Sequence, residues 1–230
     1  PNPSEMKLKT ITIENFRCYK SPVTIAFDDL TTIVGRNDVG KSTVLEALEI
    51  FFNNDVVKID SSDCNIFSSS REVSISCDFC GLPEKIVLDA GAETSLEEEY
   101  LTIADDTIRI TKKFDCSKSK PSEEVFIVAM HPVIEGQDTL LSLKERDLQK
   151  IVKAKGLDVP LKGNPGMRKA IWESLPELQL NETSISATKG KEDTKIIWQR
   201  IESYLPIFAL FQSDRSSKDS DDEVQNPLKL

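Results

Sequence analysis

From Gly35 to Thr43 the chain reads Gly-Arg-Asn-Asp-Val-Gly-Lys-Ser-Thr, a spacing of residue types suited to gripping phosphate. Glycines at positions 35 and 40 accept dihedrals and close approaches that a side chain would block, so the backbone N–H groups between them can turn inward around an anion. Lys41 can then set its ammonium against the β and γ phosphates of a nucleotide, the Ser42 hydroxyl can ligate Mg²⁺, and Thr43 adds one more hydroxyl donor. A helix opening at this point contributes the positive end of its dipole. The pattern is that of a P-loop. It predicts that the backbone of Gly35, Asn37, Asp38, Val39, Gly40, Lys41, Ser42 and Thr43 wraps a triphosphate tail, with Lys41 as the catalytic cation and Ser42 as a metal ligand.

Such a loop needs a strand before it and a helix after it, and the flanking residues supply both patterns. Leu30-Thr-Thr-Ile-Val34 is a short β-branched run, and Val44, Leu45, Leu48, Phe51 and Phe52 recur at helical spacing until Asn53-Asn54-Asp55. Ahead of the loop, residues 7–14 and 23–27 read as two strands joined by a turn at Ser21-Pro22. Beyond the loop helix a polar connector, Asp60 to Ser70, leads to strands near 72–80, 85–89, 107–115 and 124–131, which together predict an antiparallel β lobe.

The period changes at Asp138. Leu141, Leu148, Ile151 and Val152 give one helical face and Ile197, Ile201, Tyr204 and Leu205 another, with a Gly/Pro-rich joint from Gly156 to Gly166 between them. Ile207-Phe-Ala-Leu-Phe211 reads as a last apolar strand, followed by Gln212 and a polar, acidic loop over 214–223; Pro227 then suits the first turn of a new helix. The organisation expected is α/β: a leader or added remnant over 1–6, an ATP-binding β lobe over 7–137, a helical subdomain over 138–206, and a final strand, acidic loop and start of a helical arm over 207–230.

The 230 residues suffice for a sizeable core, and 39% hydrophobic beside 30% charged residues is the balance of a soluble globular chain. No run reaches membrane-span length, so no membrane partner is expected. A formal charge of −10 weighs against this segment gripping a nucleic-acid backbone unaided. Lys112, Lys113, Lys118 and Lys120 cluster near an expected hairpin tip, where they would either touch a phosphate backbone or keep an exposed hairpin soluble. Five cysteines without disulfide-framework spacing suit a reducing cytosol. Cys77 and Cys80 fall inside an alternating strand with no second ligand pair at zinc spacing, which favours reduced strand cysteines over a metal site. His131, the single histidine, sits before Pro132 at a strand end, a structural position more than a catalytic one.

Ile13-Glu14-Asn15-Phe16-Arg17-Cys-Tyr19, a β-hairpin, and then Ile33-Val-Gly-Arg-Asn37-Asp-Val-Gly-Lys-Ser-Thr43 resemble the N-terminal lobe of ABC-type ATPases of the SMC, RecF, RecN and OLD-nuclease group. The resemblance is specific over residues 7–53 and softer beyond. It implies a P-loop NTPase head of ABC type, whose N-terminal lobe carries an antiparallel β subdomain and a helical insertion. It further implies that Arg17 lies near the phosphates or the dimer partner, that Asn37 is the asparagine of the group's P-loop, and that Gln212 is the Q-loop glutamine that helps hold Mg²⁺ and the attacking water. Arg17 also reads as a surface residue on a strand end, and Asn15 as a shaper of its own turn.

Two elements of that group's chemistry have no counterpart in the sequence. A Walker B segment, four apolar residues followed by Asp-Glu, is missing; Ile86-Val87-Leu88-Asp89 comes nearest, but Ala90 stands where the glutamate is needed. No Ser-Gly dipeptide of a signature motif occurs. The expectation is therefore the first half of a split head, completed by a C-terminal lobe and by a second head in a homodimer. The partners implied are DNA and a nuclease or other effector, in repair or anti-phage defence. The alternative is an ATP-gated interaction module that holds an effector without a DNA substrate. A GTPase or small-molecule kinase is disfavoured, since no Asn-Lys-x-Asp base-reading motif is present.

Overall fold

The computed structural model describes residues 6–35, 40–53, 57–89, 92–134, 139–189 and 192–210. Its strands are β1 (Lys7–Glu14), β2 (Val23–Ala26), β3 (Glu72–Cys80), β4 (Ile86–Asp89), β5 (Ala92–Thr94), β6 (Ile108–Asp115), β7 (Ser122–Pro132) and β8 (Leu180–Ser186). Its helices are α1 (Lys41–Phe52), α2 (Glu145–Ala154), α3 (Asn164–Glu173) and α4 (Glu192–Tyr204).

Alternation builds the main sheet. Along β3 the residues Val73, Ile75, Cys77 and Phe79 turn inward and their neighbours outward, and β1, β6 and β7 follow the same period of two. The strands pair antiparallel in the order β2-β1-β3-β6-β7-β8. Register sets Ile25, Ile11, Cys77, Ile110, Ile127 and Ile185 side by side in one apolar row across the sheet. On this inner face lie α1, through Val44, Ala47, Leu48 and Phe51, and α4, through Ile197, Trp198 and Ile201. Burying each such large apolar side chain contributes about 1.5–3 kcal/mol. Cys77 is thus a core residue whose thiol burial pushes well up in pKa, and among the described residues no group of His, Cys, Asp or Glu could hold a metal ion.

A second, smaller core forms between α2 and α3, where Leu148, Val152, Met167, Ile171 and Trp172 meet. A buried ion cluster pins it to the rest: the Arg168 guanidinium donates through Nε and Nη2 to both oxygens of Glu99, at 2.8 Å each, and through Nη1 to Asp193 at the start of α4, at 2.5 Å. His131 is structural. Its ring nitrogens bond the Tyr100 carbonyl and the Thr139 hydroxyl, its edge meets Trp172, and burial holds its pKa below the usual histidine value.

Several expectations need correction. Leu30–Val34 forms no strand, and Leu30 and Val34 are 88% and 86% exposed. A central strand is held by hydrogen-bonded neighbours on its flanks, and no described strand pairs with these residues. Ile207–Leu210 likewise shows no strand, with Ile207 98% exposed and Phe208 stacked on Phe52. The expected joint Gly156–Gly166 instead contains the start of α3, because Pro165 suits a first helical turn and Gly163 takes φ 87° just before it. Strand β8 falls within the stretch read as helical. The run 85–89 belongs to a separate hairpin of β4 with β5 and not to the main sheet. Lys112 is no phosphate contact: it is buried on the inner face, with its ammonium over the Phe51 ring and 3.4 Å from Glu123, and burial lowers its pKa.

Candidate functional site

The described ends of the phosphate loop close on each other. Lys41 Nζ donates to the Gly35 carbonyl at 2.7 Å, and the lysine stem lies over Gly35, 3.7 Å from where a Cβ would stand. Gly40 caps α1 in the left-handed region, φ 87° and ψ 7°, a conformation that glycine adopts without steric cost. Among the described residues no side chain caps this helix end or the N–H groups of its first turn, and no acidic residue lies in that turn. The end carries positive dipole charge. Ser42 is exposed at this end, whereas Thr43 is buried. Backbone donors, an ammonium and an exposed hydroxyl, with no carboxylate in the turn, form a donor set that fits a polyphosphate and its divalent cation. Asn37, Asp38, Val39 and Gln212 lie outside the described residues.

The turn after β1 packs against the same glycine. Tyr19 donates its hydroxyl to the Gly40 carbonyl at 3.2 Å, and a Cβ placed on Gly40 would meet Cys18 Sγ at 2.7 Å and the Tyr19 oxygen at 2.9 Å. Burial first, and the neighbouring Cys18 second, raise the Tyr19 pKa, which keeps the phenol protonated and able to donate. Gly40→Ala combines that collision with a positive φ. It is expected to cost about 1–3 kcal/mol and to weaken nucleotide binding, checked by urea unfolding and ATP titration of the variant.

Arg17 sits in this turn, at φ 48°. Its Nε donates to Asp63 Oδ1 at 2.8 Å, it forms an ion pair with Glu46 of α1, and its guanidinium lies 5.0 Å from the Phe16 ring centre. In this arrangement Arg17 is a brace between α1 and the 3₁₀ turn Ser61–Asp63, and it neutralises two carboxylates close to the phosphate loop that would otherwise repel an anion. Asn15 shapes the turn: its amide donates to the carbonyls of Ser70 and Glu72. The partners Glu46, Asp63, Asn65 and Tyr19 escaped the sequence reading. Only Asp60-Ser-Ser-Asp63 carried a local signal, the spacing of the capping box it forms.

Glycines, a lysine and hydroxyls at the start of α1, beside a mainly antiparallel sheet, are parts that a P-loop nucleotide-binding domain uses. A family model described as the AAA ATPase domain matches residues 6–230, and the chain belongs to that family. Membership assigns it ATP binding and ATPase chemistry. No curated protein matches the chain closely enough to lend it a more particular role. Among the described residues, no helix is long and apolar enough to cross a membrane.

Proposed function

We propose that the chain is the ATP-binding half of an ABC-type head of the SMC/OLD kind, which dimerises on ATP and acts on DNA in repair or defence. The observation that carries this reading is the closure of Lys41 onto Gly35 at the Gly40 start of α1, with the turn of the Asn-Phe-Arg motif packed on Gly40. The exposed apolar residues Leu30, Val34 and Ile207 support a second lobe that supplies strands to cover them.

In this reading the first-turn amides of α1 hold the phosphates, Lys41 leaves the Gly35 carbonyl to stabilise charge on the transferring phosphoryl group, and Ser42 ligates the metal. Gln212 joins it as a metal ligand and orients the attacking water. Bound Mg²⁺ would neutralise charge on the β and γ oxygens. Phosphoryl transfer is mainly positioning and electrostatics, so the donor array supplies most of what this half contributes.

One observation favours the second reading, an ATP-gated interaction module without a DNA substrate. The β6–β7 hairpin presents only part of its lysine cluster: Lys112 is buried and Lys113 pairs with Glu72, while Lys118 and Lys120 are exposed. ATP turnover by the full-length protein, measured with and without duplex DNA, separates the two. Stimulation of turnover by DNA is expected; ATP-dependent self-association with DNA-independent turnover would favour the module.

A further inference from the structure

The two edges of the main sheet are built differently. β2, at one edge, is only 4 residues long and offers little to pair with. β8, at the other, runs for 7 residues, Leu-Asn-Glu-Thr-Ser-Ile-Ser, in unbroken register along β7. It has no proline, no lysine and no bulge, the usual devices that keep an edge from pairing, and its one charged side chain is Glu182.

Two hydrogen bonds fix which side of β8 is open. The Val133 amide donates to the Gln179 carbonyl and the Ala187 amide to the Val125 carbonyl, so the odd-numbered residues turn their N–H and C=O toward β7. Leu180, Glu182, Ser184 and Ser186 therefore point theirs away from the sheet. Among the described residues no strand pairs with that side, and Leu180, Asn181, Glu182 and Ser184 are exposed.

The strand is complementary to itself. Laid antiparallel on a second copy, it overlaps along its whole length in one register, centred on Thr183, which sets Leu180 opposite Ser186, Asn181 opposite Ile185 and Glu182 opposite Ser184. Each outward-facing residue then meets an outward-facing one, and the open amides and carbonyls close on each other. Thr183 meets its own copy, a favourable cross-strand pair, and no like charges stand directly opposite. Sliding the centre to Glu182 would put two carboxylates face to face. In the Thr183 register Leu180, 39% exposed, lies against Ser186 of the second copy, whose neighbour on β7 is the half-buried Phe126.

We infer that β8 is a self-association edge, at which two copies of the chain join their sheets antiparallel about Thr183. The contact is isologous and closes as a dimer. It needs no nucleotide and is separate from the ATP-driven contact proposed above, so a protein using both would assemble beyond a dimer. Main-chain pairing along one strand is a small interface, and association in the micromolar range is expected.

Sedimentation velocity on the complete protein without nucleotide tests this, and a dimer is expected. Ser184→Pro removes an outward amide and leaves the bonds to β7 in place; it is expected to weaken association at least about tenfold. Thr183→Lys and Thr183→Glu each set like charges opposite at the centre, so each variant alone is expected to be monomeric, whereas an equal mixture of the two associates. Far-UV circular dichroism checks that every variant keeps its fold. A monomer throughout, a dimer that Ser184→Pro leaves intact, or association only when ATP is added overturns the edge pairing. So does a mixture of the two charge variants that associates no more than either alone.

Discussion

Lys41→Ala is expected to lower ATP turnover by the complete protein at least a hundredfold and to weaken ATP binding, while leaving the fold intact. The magnitude follows from the position of the ammonium. It is tethered at 2.7 Å to the Gly35 carbonyl at the mouth of the loop, so it needs only a side-chain rotation to meet a phosphate. Removing one preorganised charge-stabilising donor of this kind costs about 10²–10³ in turnover. Stability should change by less than about 0.5 kcal/mol, because Lys41 is not part of the core and Gly35 is exposed, leaving its carbonyl to water. Steady-state phosphate release and urea unfolding on the same preparations check both halves. Undiminished turnover would remove Lys41 from the site.

The largest stability effect is expected at Arg168. Its side chain is wholly buried and its three donors, Nε, Nη1 and Nη2, end on two carboxylates, of which Glu99 is itself buried. Arg168→Met should cost about 3–5 kcal/mol, because two negative charges then face each other without their cation. For a chain of this length the loss corresponds to a fall of about 10 °C in Tm. Asn164 donates to the same Asp193 oxygen and cannot replace the missing charge. Adding Glu99→Leu to Arg168→Met should recover part of the loss, since one uncompensated charge is then removed along with its partner. Urea midpoints of the single and double variants measure this. A loss below about 1 kcal/mol in Arg168→Met would show that the cluster behaves as a solvent-screened surface pair.

Legibility in the sequence tracked the locality of the signal. β1 and β3 were readable to the residue because their alternation is set by one buried face, and α1 because its apolar stripe ends at Asn53, which takes the left-handed conformation there. α3 was missed because Gly163, Pro165 and Gly166 mask its start, although Met167 and Ile171 lie four residues apart on its buried side. β8 was missed because Asn181, Glu182, Thr183 and Ser184 are polar, and only Ile185 is buried in the row it completes. Leu30–Val34 and Ile207–Leu210 read as strands from propensity alone. Propensity does not supply the neighbours whose hydrogen bonds make a strand, and those are not among the described residues.

At the site, residue types announced the phosphate loop, while the braces around it did not announce themselves. Arg17 to Asp63 spans 46 positions in sequence and Tyr19 to Gly40 spans 21, and such pairings follow from the folded sheet rather than from any local pattern.

The central claim is that the backbone amides at the start of α1 hold a triphosphate. Its most direct measurement is the amide chemical shifts of the isotopically labelled chain on titration with ATP. The account predicts that the largest changes fall on Gly35, Gly40, Lys41, Ser42 and Thr43, saturating together. Saturable ATP binding that leaves those amides unmoved, or no binding at all, would contradict it.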